Sequence, residues 1–133
     1  MLIYPAITAL TAGAIIIIQM GLMFYAASGR IKFKKGLGDG GEPQMLKRIR
    51  MHGNLTENAP IILIVMALLE MGGVSQTVLA VAGVVFVIVR ILHPLGLLRS
   101  QGTSAFRFLG ATTTMFLGFA GGVGLIIFAL GQL

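Results

Sequence analysis

The chain has 133 residues, 56% of them hydrophobic and 11% charged, with a net charge of +6 and no cysteine. Soluble domains carry about 25% charged residues, so this composition excludes a core surrounded by water. Without cysteine there is no disulfide, no thiolate metal site and no redox thiol on the protein itself, and any thiol chemistry would bring its sulfur on a substrate.

A helix crosses a bilayer with about 20 predominantly apolar residues, and four such stretches follow one another in a single membrane domain over residues 1–133. The first span is expected at about residues 3–27, with Gln19 as its one strongly polar interior side chain. It has no basic leader and is too long for a signal peptide, so it reads as a retained span. Residues 28–43, SGRIKFKKGLGDGGEP, form a basic loop that ends in four glycines, which are poor at holding a helix together. The second span is expected at about 44–71, followed by the uncharged turn GGVS, and the third at about 76–98. After the polar loop RSQGTS the fourth is expected at about 105–130, glycine-rich towards its end. The fold class is thus an all-α integral membrane bundle of four transmembrane helices.

Basic residues in short loops set orientation. Arg30, Lys32, Lys34, Lys35, Lys47, Arg48 and Arg50 surround the first loop, and Arg99 and Arg107 the third, whereas the second has none. That side is expected to be cytoplasmic and both termini to lie outside the cytoplasm. A basic loop at a membrane edge reads as a topology signal or an anchor for anionic lipid, not as a nucleic-acid site.

The most polar stretch, RIRMHGNLTENAP at residues 48–60, opens the hydrophobic second span. If Glu70 marks the outer interface, the inner one falls near Arg50, and Asn54 and Glu57 lie about 6 to 10 Å inside the hydrocarbon. Such residues are costly in lipid and normally face other helices or a wet cavity. Arg50, Asn54 and Glu57 recur at i, i+4 and i+7, one helical stripe, with His52 on another side and Pro60 freeing the carbonyl of Thr56. Arg50 and Glu57 could neutralise one another with no ligand involved. In the third span Arg90 sits inside an apolar run at a depth similar to Glu57, so that a pair between them is geometrically reasonable. His93 follows one turn later, before Pro94, where it could equally be a packing residue. With Arg30 and with Arg107 at the start of the fourth span, these side chains gather around the cytoplasmic third of the bundle. The inventory suits a small peptide-like anion with two carboxylates and one ammonium. Arginines would take the carboxylates and Glu57 the ammonium, and glutathione has this charge pattern and carries a thiol.

The run R-x-H-x-N-x-x-E-N-x-P, as Arg50, His52, Asn54, Glu57, Asn58 and Pro60, resembles the second-helix signature of the MAPEG family, membrane-associated proteins in eicosanoid and glutathione metabolism. R-x-x-H-P-x-G, Arg90 to Gly96, resembles the family's third-helix motif, and GLGDGGEPQMLKRIRMHGN is most similar to the small bacterial inner-membrane branch. The resemblance covers nearly the whole chain and implies a homotrimer that binds glutathione between neighbouring subunits on the cytoplasmic side. It implies glutathione contacts at Arg30, Arg50, His52, Asn54, Glu57, Arg90 and His93. Arg107 would be the catalytic residue that stabilises the thiolate. No metal is implied. Where the eicosanoid enzymes carry a tyrosine one turn beyond His93, this chain has Leu97.

The activity so implied is transfer of glutathione to, or peroxide reduction of, a lipophilic second substrate arriving from the membrane lipids. That substrate would lie along apolar faces between subunits, where the glycines of the fourth span allow close approach. A thiol has a pKa near 8.5 and a neighbouring arginine lowers it, raising the thiolate fraction. Two other readings compete: a non-catalytic lipid-binding or scaffold member of the same family, and a small proton-coupled transporter working through Glu57.

Overall fold

In a computed structural model, residues 4–99, 102 and 104–133 are described. They form four helices in chain order, α1 (Ala6–Phe33), α2 (Pro43–Met71), α3 (Gln76–Arg99) and α4 (Ala105–Leu130). All four are long and apolar enough to cross a membrane. The start expected at Ile3 and most of the loop before α4 lie outside the described residues.

The bounds differ from expectation mainly at the end of α1, which continues past Ala27 to Phe33. The polar triplet Ser28–Gly29–Arg30 does not stop it, because α2 packs against these turns. Gly29 is buried beneath the Arg48 side chain, so close that a Cβ there would sit 2.5 Å from Arg48 Cδ. Arg48 Nη1 donates to the Tyr25 carbonyl at 2.7 Å and to Ser28 Oγ at 3.0 Å, and its guanidinium lies 3.8 Å from the centre of the Tyr25 ring. The helix ends where Lys34 turns left-handed and the glycines begin. Gly38, Gly40 and Gly41 all adopt positive φ, a region that costs glycine little. Glu42 then caps α2 by accepting from the Gln44 N–H, with Pro43 in the first turn, where its missing donor is no loss.

The far end of α2 closes in a Schellman motif. The Val74 N–H reaches the Leu69 carbonyl and the Gly73 N–H that of Glu70, with Gly73 left-handed, which satisfies carbonyls the helix would otherwise orphan. Beside this turn Glu70 is buried, its carboxylate accepting from the N–H groups of Ile7 and Thr8, each at 2.8 Å, and from the Thr8 hydroxyl at 2.7 Å. A side chain of α2 therefore caps the start of α1, supplying an anion to N–H groups that have no partner within the helix.

The helices run alternately up and down, with α2 and α3 in contact. α1 packs on both from one side and α4 from the other, and α1 and α4 do not touch among the described residues. The core is one cluster around Ile15, Leu55, Ile62, Met66, Phe86 and Val89. Most other large apolar side chains point outward, and of α4 only Gly110 and Thr114 are buried. Water would not tolerate so many exposed apolar side chains on every face, whereas lipid or further copies of the chain would.

Small residues set the spacing. A Cβ at Gly83 would meet Thr11 Oγ1 of α1, one at Gly96 would lie 2.7 Å from the Arg107 nitrogen, and one at Gly110 would lie 2.8 Å from the His93 Cβ. The first turns of α4 are therefore seated tightly on α3, as small residues permit in membrane bundles. Farther along, a cavity of about 550 Å³ opens between α2, α3 and α4, although α4 still meets α2 where Gly121 faces Val65 and, near its end, where the Phe128 ring lies against Gly72.

Candidate functional site

The end of the bundle that carries the basic loops also carries the polar side chains of α2, α3 and α4. At its centre is Arg90, 2% exposed. Its Nη1 donates to Asn54 Oδ1 at 2.8 Å and its Nη2 to the Gly110 carbonyl at 2.6 Å, so one guanidinium ties three helices together. The Gly110 carbonyl also accepts from the Thr114 hydroxyl at 2.7 Å. Arg90 Nε is buried without a hydrogen-bond partner among the described residues, and no carboxylate of those residues lies within ion-pair distance of Arg90.

The Arg90–Glu57 pair that the sequence suggested is not formed. Glu57 instead lies 3.7 Å from Arg50, and both side chains are more than half exposed. The stripe of α2 divides for a geometric reason: Asn54 turns inward to α3, while Arg50 and Glu57 remain on the outer surface of the protomer. Asn58 is held by its own helix, Nδ2 donating to the Asn54 carbonyl at 2.7 Å.

His93 is buried one turn beyond Arg90 and packs against Gly110. One turn further, a Cβ at Gly96 would lie 2.7 Å from the Arg107 nitrogen, so the start of α4 stands beside the turn of α3 that follows His93. Arg107 is half-buried, with Ser104 capping its N–H at 3.3 Å and its own Nη1 donating to the Gly102 carbonyl at 2.7 Å. Leu97 is buried in the apolar packing of α3.

Two of the expected residues lie apart from this centre. Arg30, in the last turn of α1, is turned to the first loop, its Nη1 donating to the carbonyls of Gly36 and Gly38 at 3.2 and 3.3 Å. His52 occupies another face of α2, where its carbonyl accepts from Thr56 at 3.0 Å. Thr56 in turn accepts at 2.5 Å from Gln19, whose Oε1 is buried without a partner among the described residues. No group of three His, Asp or Glu side chains able to hold a metal occurs among those residues.

Sequence reasoning missed Gly110 and Arg48. Gly110 supplies an acceptor to Arg90 through its carbonyl, which no side-chain motif announces. Arg48 was counted only as a basic charge, although Tyr25 and Gly29 each stand at the right height on α1 to receive it.

Beyond Arg90, away from the basic end, lies the 550 Å³ cavity. Phe86 lines its inner end, and the Arg90 guanidinium carbon is 5.9 Å from the centre of that ring. The walls are almost wholly apolar, with Gly118, Gly121 and Gly124 of α4 among them. Here the glycines hollow out a space within one protomer.

The description MAPEG family matches residues 8–128, nearly the whole chain. The chain belongs to the MAPEG family. Within it, the chain is 30% identical over 90 residues to the inner membrane protein YecN of Escherichia coli strain K12, covering 68% of this chain and 69% of the relative. The same protein of Escherichia coli O6:H1 strain CFT073 matches to the same extent. Membership in this family agrees with the four membrane-crossing helices and puts the second- and third-helix motifs in a family setting.

Proposed function

We propose that this MAPEG protein is a glutathione-dependent transferase or peroxidase of a bacterial inner membrane, acting on lipophilic electrophiles or hydroperoxides. The observation that carries the reading is Arg90, a buried cation held by two neutral acceptors, with an unpartnered Nε and no carboxylate beside it. A cation removed from water is stabilised by an anion and by full hydrogen bonding, and a carboxylate or thiolate of glutathione would supply both. Asn54 orients Arg90, while His93 and Arg107 adjoin it. Arg50 and Glu57 remain exposed for the other end of the ligand, with Glu57 taking its ammonium.

Exposed ionic side chains within a membrane-spanning helix normally face protein or a wet cavity. We infer that a second copy of the chain covers them, in a homotrimer whose sites lie between subunits, with Arg30 and His52 entering from the neighbour or from loop rearrangement. The basic end would face the cytoplasm. Arg107 would stabilise the thiolate. Its sulfur would bond to an electrophilic carbon while a leaving anion departs, or, in an addition, while the substrate takes up a proton from water. With a hydroperoxide it would attack the terminal oxygen and break the O–O bond, releasing the alcohol and leaving glutathione sulfenic acid, which a second glutathione converts to the disulfide and water. The cavity beyond Phe86 would receive the apolar body of the second substrate.

Thiolate formation can be read from its ultraviolet absorbance when glutathione is added. The expected result is a thiolate signal in the wild type that is lost in Arg107→Ala while labelled glutathione still binds. One observation favours a non-catalytic, lipid-binding role: Leu97 is buried and apolar where the eicosanoid enzymes have a tyrosine, and Arg107 is turned towards its own loop. Binding of glutathione by the wild type with no thiolate signal would select that reading.

A further inference from the structure

The seam between α1 and α3 takes no part in the site described above. Leu22 and Tyr25 of α1 and Leu95 and Leu98 of α3 enclose a trough of about 290 Å³ over Met51 of α2, almost devoid of polar surface. At the basic end each wall continues into a cation. Lys32 follows Tyr25 by seven residues and Arg99 follows Leu95 by four, spacings that return to the same helix face. Arg48 precedes Met51 by three and is fixed over the Tyr25 ring. The alternating directions of the helices put all three cations on the same side of the trough, Lys32 about 10 Å along the axis from Tyr25. Lys32 and Arg99 are exposed, their charged heads resting 5.3 Å from the centre of the Phe33 ring and 5.1 Å from that of Phe106 on α4, so each long side chain would swing from its ring to meet a headgroup at the mouth. None of the three has a carboxylate within ion-pair distance among the described residues.

We propose that this seam binds one anionic phospholipid from the leaflet at the basic end, with an acyl chain in the trough and the phosphate among Lys32, Arg48 and Arg99. A zwitterionic lipid would fill the trough equally well, so charge complementarity at the mouth makes the selection. Each Lys or Arg near an anionic headgroup favours it about fivefold, and lysine and arginine stems lie along apolar surface while their heads reach the headgroup level. The preference weakens with salt because the mouth is open to solvent.

The chain has no tryptophan, so a single one can report on the lipid beside it. Leu95→Trp puts the reporter at the trough, with Ile91→Trp deeper in the same groove should the first fail to fold, and Phe116→Trp on the exposed face of α4 is the control. Each variant is reconstituted into vesicles of phosphatidylglycerol and phosphatidylcholine in which one lipid or the other is brominated, and quenching gives their relative affinity. The expected result is a preference for phosphatidylglycerol of about fivefold or more at the trough reporter and of about one at Phe116→Trp. Adding Lys32→Gln with Arg99→Gln, which leaves the Arg48 contacts between α1 and α2 intact, should remove most of the preference, as should high salt. A preference near one at both trough reporters, an equal preference at all three positions, or one indifferent to the double substitution would overturn the proposal.

Discussion

Arg90 and Glu70 are both buried charged residues, and their surroundings show why one reads as functional and the other as structural. The Glu70 carboxylate accepts three hydrogen bonds from the start of α1, and its charge meets the positive end of that helix. Arg90 has two neutral acceptors and an unused Nε, an arrangement that leaves a buried charge partly uncompensated. The two therefore respond differently to substitution. Glu70→Ala orphans the N–H groups of Ile7 and Thr8, one part-buried and one buried, and should lower stability by about 1 to 3 kcal/mol, measured by thermal unfolding in detergent, without changing glutathione affinity per folded molecule. Arg90→Met approximates the volume but leaves Asn54 Oδ1 and the Gly110 carbonyl without their donor, so it should also lower stability, by about 1 to 3 kcal/mol, and it should weaken glutathione binding per folded molecule more than about tenfold. Part of this was legible beforehand. Arg90 and Asn54 stood out as polar residues within apolar runs, but the partner of Arg90 did not, because side chains of similar depth on two helices cannot be paired without knowing how each helix is rotated. Glu70 was visible only as a marker of the membrane edge, since nothing local to it shows that residues 7 and 8 lie within its reach.

At the scale of the helices, glycine placement decides where α4 is fixed and where it is free. Gly96 and Gly110 seat its first turns on α3, and beyond Thr114 the residues Gly118, Gly121 and Gly124 line a cavity, Gly121 also facing Val65 of α2 closely. No heavy atom outside the helix would lie within 4 Å of a Cβ at Gly118. Gly118→Leu should therefore keep or slightly raise the unfolding temperature, since glycine is about 1 kcal/mol worse than leucine within a helix. It should also reduce the binding of long apolar ligands by filling the cavity, a change measurable by competition with a fluorescent fatty acid. The sequence reading placed those glycines in α4 and expected close approach there between subunits; within the protomer, Gly118, Gly121 and Gly124 line a cavity. Composition alone cannot tell a close approach from a hollow, because both require the absence of a side chain. The extension of α1 to Phe33 was hidden for a related reason: Gly29 looks like a breaker until the Arg48 side chain is known to lie across it.

For the whole molecule, four spans and a shared basic end were evident from hydropathy and charge, because the bilayer leaves few alternatives to a closed helix bundle. The assembly was not, and the protomer explains what is missing. α1 and α4 form opposite edges, and Arg50 and Glu57 stand exposed on a helix of membrane-crossing length. Covering that face with further copies would bury the ion pair. The account expects a mass of three protomers for the protein in gentle detergent, measured by native mass spectrometry. A stable monomer that still binds glutathione would contradict a site shared between subunits.

The central claim is that the buried cation of α3 exists to receive glutathione. Its most direct test is equilibrium binding of labelled glutathione to the purified, folded protein, with Arg90→Met and Arg107→Ala measured alongside. The account predicts saturable binding by the wild type and by Arg107→Ala, and its loss in the folded fraction of Arg90→Met. Absence of saturable binding by a folded wild type, or undiminished binding by Arg90→Met, would contradict it.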